Sequence, residues 1–221
     1  MADPSALPRA RTYERSSVEF SRVLAFSDGV FAIAMTLLVV GITVPVLPDA
    51  SSVAQLADLL NDRTSNVISF FISFGVIGRY WVAHHQFFAL LSRADSRLVG
   101  INLLYLAFIA FLPYPTALLG TYIENPLSVA LYAVMVALIS GLEVVLFRHA
   151  HRHGLLAEAM PADVYRWGVI GSLSPVAFFL ASVPVAFAST TLAVGIWFLG
   201  IPFGILADRW KPADADRFFP T

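Results

Sequence analysis

The sequence predicts an all-α membrane protein with six transmembrane helices per subunit, and three observations carry that prediction. Hydrophobic residues make up 58% of the 221 and charged residues only 13%, against roughly 25% charged in soluble domains; mean hydropathy is +0.75. The apolar residues gather into six stretches, each near the length of about 20 residues that crosses a hydrocarbon core. The basic residues fall almost wholly in alternate connections, as in a chain threaded back and forth across a bilayer.

Residues 1–20 are polar, with Pro4, Pro8 and several Arg, and are expected to be a frayed cytoplasmic segment without the apolar run of a cleavable signal. The first span is residues 22–44, RVLAFSDGVFAIAMTLLVVGITV, in which only Thr36 and Thr43 carry hydrogen-bonding side chains beyond Asp28. After a turn at 45–49, residues 53–60 (VAQLADLL) form a short amphipathic helix. The second span, 64–91, reaches about 42 Å at 1.5 Å per residue, so it tilts or projects into water. SRADSR, residues 92–97, is a charged turn. The third span, 98–119, is bent by Pro113 and Pro115, which lack a backbone donor. A turn at 124–126 leads to the fourth span, 127–147, and then to the longest loop, HAHRHGLLAEAMPAD. The fifth and sixth spans are 164–187 and 190–207. The expected division is an N-terminal segment at 1–20, a transmembrane domain at 21–208 and a tail at 209–221.

Arg9, Arg11, Arg15 and Arg22 come before the membrane; Arg93 and Arg97 lie between spans two and three. Arg148, Arg152 and Arg166 flank the fourth loop, and Arg209, Lys211 and Arg217 follow span six. The opposite connections hold only Arg63, and Arg79 lies inside span two. Both termini are therefore expected in the cytoplasm, with the chain in the cell membrane as a multi-pass protein. A net charge of −1 argues against a nucleic-acid partner, and the absence of cysteine excludes disulfides and thiolate chemistry.

Polar groups interrupt the apolar spans at one level. Asp28, about 9–10 Å inside the first span, matches the depth of His84 and His85 in the second and Asn102 in the third. The expected arrangement is an Asp–His–Asn network within the subunit, with Arg22 or Arg79 as counter-charge and Glu143 as a candidate partner for Arg79. Two roles fit such a layer: fixing the packing of a bundle, or marking an ion path. His84 and His85 point about 100° apart on a helix and do not suit one shared metal ion. His149, His151 and His153 read as solvated loop residues, with a metal or pH-sensing tract as the sharper alternative. No nucleophile elbow, zinc-protease motif or phosphate loop occurs, so no catalytic residue, resident metal or cofactor is expected and the chain is not read as an enzyme. Neither is there a TVGYG-type filter segment.

The residues RVLAFSD, Arg22 to Asp28, resemble the RxxxFSD signature of the transmembrane protein 175 family of endolysosomal potassium channels and their prokaryotic relatives. The likeness continues through GVFAIAMTLLV, RYWVAHHQFF, RADSRLVGINLLY and LPYPTAL, covering about residues 20–120. The resemblance implies a potassium-permeable, leak-type cation channel assembled as a homotetramer, with span one around a central pore. It assigns the constriction to Ile33, with Thr36, Leu37 and Val40 on the same pore-lining face. It also implies a motif network of Arg22, Phe26, Ser27, Asp28, His84, His85 and Asn102. The permeating ion would be K+, with Na+ less favoured and H+ permeability open. Periodicity alone fits lipid-facing or core packing of that stripe as well. The alternative function is a proton-coupled secondary transporter with Asp28 and the histidines as relay, although such proteins show internal repeats and none stands out here.

Overall fold

The computed structural model describes residues 12–44, 46–49 and 51–219. Arg9, Arg11 and the prolines of the first eleven residues, and Pro45 of the first turn, lie outside the described residues. Six helices are long and apolar enough to cross a membrane, and side-chain caps at Ser17, Asp95, Asn125 and Ser189 mark where four of these spans begin.

Helix α1 spans Val18–Val40. It starts four residues before the expected span because the Ser17 hydroxyl accepts from the Phe20 amide at 3.2 Å, satisfying a first-turn donor. The residues just before it are not frayed. Strand β1 (Thr12–Glu14) pairs antiparallel with β2 (Arg93–Asp95), with Tyr13 opposite Ala94. The Arg15 guanidinium donates to the carbonyls of Ala89 and Leu91. This two-stranded ribbon replaces the simple charged turn expected at 92–97. Alternation was invisible there because three residues per strand are too few to show a period.

Helix α2 (Val53–Asp62) is the expected amphipathic piece, capped by Ser52 and buried nowhere. Helix α3 covers Thr64–Ala89. The third span is two helical pieces, α4 (Ser96–Phe111) and α5 (Pro113–Thr121), meeting at Leu112. Leu112 keeps helical dihedrals, and the Thr116 amide reaches its carbonyl at 3.2 Å. The span therefore bends at the prolines without breaking.

Helix α6 runs Pro126–Arg152, five residues past the expected end, so His149 and His151 belong to a helix and not to a loop. Helix α7 (Ala162–Ala186) carries Pro175 and Pro184 inside it. The last span is α8 (Thr190–Trp197) followed by α9 (Gly200–Ala207) and a 3-10 turn, Asp208–Trp210. A short α10, Ala215–Phe218, closes the described chain.

The core centres on α6, which packs against α4, α5, α7 and α8 and buries Tyr132, Val129, Ala133 and Ile139 completely. By contrast α1 lies at the margin of the subunit, packed on α3, α4 and α5 along one face only. The chain ends and two of the connections share one end of the bundle. Besides the β1–β2 ribbon, the Ser92 amide donates to the Leu155 carbonyl at 2.9 Å and the Ala157 amide to Leu90 at 2.8 Å. Arg217 pairs with Glu158 at 2.6 Å, and Phe219 packs on Trp167 and Phe147.

Candidate functional site

Helix α1 presents two unlike faces. Ser27, Phe31, Ala34 and Leu38, spaced four, three and four apart, are buried against the subunit. The other face is apolar yet uncovered: Phe26 is 56% exposed, Ile33 60%, Leu37 44% and Val40 70%, with Thr36 beside them exposed as well. The Thr36 hydroxyl donates to the Ile33 carbonyl at 2.8 Å. That bond uses its proton and leaves the oxygen with acceptor capacity.

The buried face is anchored by a directed chain of hydrogen bonds. His84 Nε2 lies 2.8 Å from Asn102 Oδ1, an acceptor only, so the proton sits on Nε2. Asn102 Nδ2 donates to Ser27 Oγ at 3.0 Å, and Ser27 donates to the Val23 carbonyl at 2.9 Å. The chain ties α3 to α4 to α1 with each group used in its proper sense. His84 is also held by rings: Phe88 stacks at 4.4 Å between centroids, Tyr105 at 5.8 Å, and Phe31 lies 5.4 Å away. Its Nδ1 and the Tyr105 hydroxyl are buried without a partner among the described residues.

The residues at matched depth thus come together only in part. Ser27, not Asp28, meets Asn102, because adjacent helical residues point about 100° apart. Asp28 instead accepts from Trp81 Nε1 at 3.0 Å. The expected contact of Asp28 with His84, His85 and Asn102 is therefore corrected: two neighbouring groups replace one network. His85 is exposed and lies tilted against Trp81, ring centroids 5.8 Å apart. Arg22 and Arg79 are exposed, and among the described residues neither forms an ion pair with Asp28.

Further polar contacts stitch the same helices at other levels. The Tyr80 hydroxyl meets Ser140 at 2.6 Å and donates to the Val136 carbonyl; Ser73 meets Tyr132 at 3.0 Å and accepts from Thr116 at 2.8 Å. The signal for them was present in sequence. Asn66, Ser69, Ser73, Tyr80 and His84 recur at three, four, seven and four residues along one buried stripe of α3.

At the end of the bundle nearest the termini, Asp95 caps α4 by accepting from the Leu98 amide at 2.6 Å. It also takes His149 Nε2 on both oxygens, at 3.0 and 2.9 Å. Partial burial works against its charge, but the Leu98 amide and His149 outweigh that and hold the Asp95 carboxyl below its usual range. His149 is thus buried and paired, not solvated, while His153 stacks on it and His151 stacks on Tyr165.

With this geometry in view, comparison with known proteins is specific. Residues 22–113 match the family model described as endosomal/lysosomal potassium channel TMEM175. A protein of Chamaesiphon minutus named as a potassium channel is 34% identical over 187 residues, 82% of this chain and 91% of that one. One of Streptomyces collinus, also so named, is 37% identical over 80% of this chain and 86% of its own. The human protein named endosomal/lysosomal proton channel TMEM175 is 30% identical, with 38% of its length matched. Among solved structures, a crystal structure titled as a lysosomal potassium-selective channel TMEM175 homolog from Chamaesiphon minutus superposes with a TM-score of 0.68, covering 86% of this chain and 99% of that one at 34% identity. This six-helix membrane chain belongs to the TMEM175 family.

Proposed function

We propose that the chain is a potassium-permeable, leak-type cation channel subunit, assembling as a homotetramer with α1 of each copy around a central pore. The observation that supports this most is the uncovered apolar face of α1, in a chain whose relatives over nearly full length are named potassium channels. In this reading four copies of Ile33 form the narrowest ring, with Leu37 and Val40 beyond it and Thr36 supplying hydroxyl oxygens beside it. An apolar ring controls passage by size and dewetting. Hydroxyls then weigh partial dehydration of K+ against that of Na+, so selectivity is weaker than a carbonyl filter gives. The Ser27–Asn102–His84 chain would keep α1 from rotating about its axis and so keep Ile33 aimed inward. The basic residues support cytoplasmic termini in the cell membrane.

The test is a reversal potential in reconstituted bilayers under opposed K+ and Na+ gradients. Current that reverses toward the K+ potential with no added substrate is the expected result. Flux that requires a proton gradient and is stoichiometric with it would restore the transporter alternative, which no relative's name favours.

A further inference from the structure

A cleft of ≈ 360 Å³ opens on the subunit surface, lined by Arg79 and by residues of α6, α7 and the C-terminal segment, among them Glu143, Phe147, Trp167, Gly171 and Lys211. The pore reading uses none of these residues. Arg79 lies ten residues before Ala89 at the end of α3, about 15 Å along the axis. Glu143 lies nine before Arg152 at the end of α6, about 13–14 Å in. Both ends are the ends nearest the termini, so the two side chains share one cleft inside the same half of the membrane.

Among the described residues, neither Arg79 nor Glu143 forms an ion pair. A guanidinium presents five donors and keeps its charge, and in hydrocarbon such donors demand acceptors. The long arginine stem can carry its head toward the interface, where the abundant acceptor is lipid phosphate, a geometry the guanidinium grips with two bonds. At the mouth stands Lys211, its ammonium 5.7 Å from the centroid of the Trp167 ring. Trp167 is itself fixed by donation to the Ala207 carbonyl at 3.2 Å. Lys211 pairs with Asp216, which uses one of its three donors. Arg79 and Lys211 are two cations among the residues that line the cleft, and a phosphate held there would face both. A headgroup without an ammonium avoids repulsion by Lys211.

We propose that this cleft binds the phosphate of an anionic phospholipid from the leaflet on the side of the termini, with Arg79 and Lys211 as its contacts and an acyl chain against Phe147. The proposal does not depend on the chain being a channel.

Native mass spectrometry of the detergent-purified full chain, titrated with phosphatidylglycerol or phosphatidylcholine, tests it. Phosphatidylglycerol is expected to be retained in preference, and Arg79→Gln to weaken that retention about tenfold, the loss of one charge-assisted contact. Because Arg79→Gln can also disturb folding, Gly171→Leu gives a second arm. A Cβ added there meets nothing within 4 Å, and leucine favours the helix, so the variant should fold while filling the cleft, and should lose retention too. Three outcomes overturn the site: no preference in the wild type, retention unchanged in Gly171→Leu, or displacement of the lipid by an equal concentration of inorganic phosphate, which would mark a small-anion site. Potassium current is a separate readout that none of these outcomes decides.

Discussion

Ile33 and Asn102 show how differently two residues within the membrane-spanning helices can act. Ile33 is 60% exposed and touches little of its own subunit. Ile33→Ala should therefore leave unfolding within about 1 kcal/mol of wild type, far below the roughly 2–5 kcal/mol of a packed isoleucine. It should raise single-channel current and reduce K+ over Na+ discrimination. A destabilised Ile33→Ala protein with unchanged current would put that side chain in ordinary packing. Asn102 is buried and serves two partners at once. Polar contacts in membrane bundles average only about 0.6 kcal/mol, but Asn102→Leu also strands the His84 N–H, which costs about 1–3 kcal/mol. Thermal unfolding in detergent should show Asn102→Leu losing more than the pairwise average. The double variant with His84→Leu should recover part of that loss, since the stranded donor is gone. A strictly additive double variant would mean that the two side chains act independently.

At the scale of elements, the telling feature is the junction where β2 feeds α4 and meets the end of α6. Asp95 is at once a strand end, an N-cap and the partner of His149. Because its folded pKa is depressed, its stabilising contribution is fully present above the ordinary carboxylate value of 3.8 and is lost as pH falls through the lower folded value. His149 and His153 are the groups that face it. Acid titration of unfolding should therefore show a loss of stability below about pH 4 that Asp95→Asn abolishes. Asp95→Ala should cost about 1 kcal/mol for the lost cap and more for the stranded His149. An unchanged acid limb in Asp95→Asn would remove this pair from the pH response.

For the whole molecule, the placement of the first and last described residues beside the loops after α3 and α6 makes orientation a single question with a single answer. The chain has no native cysteine, so cysteines at Ser52 and Ala157 report cleanly. Ala157→Cys should label only after the membrane is opened, and Ser52→Cys from outside intact cells. The reverse pattern would invert the orientation and with it the leaflet assigned to the Arg79 cleft. The packing of the bundle also leaves one apolar face of α1 uncovered. Its partner faces within the subunit are exhausted by α3, α4 and α5, whereas α6 is surrounded by its own chain.

Local composition determined the number of spans and the amphipathic α2, because crossing a hydrocarbon core depends on run length and polarity alone. The starts of α2 and α6 were legible to within a residue for the same reason: each rests on residues adjacent in sequence. What only the tertiary structure decided was partnership. Ser27 and Asp28 are neighbours in sequence and equal in depth, yet a 100° turn of the helix gives one to Asn102 and the other to Trp81. The extra turns of α6 that carry His149 to Asp95 follow from a contact 54 residues away, and no local pattern announces it. Depth is a one-dimensional property that a sequence carries; azimuth becomes meaningful only once the neighbouring helices are in place.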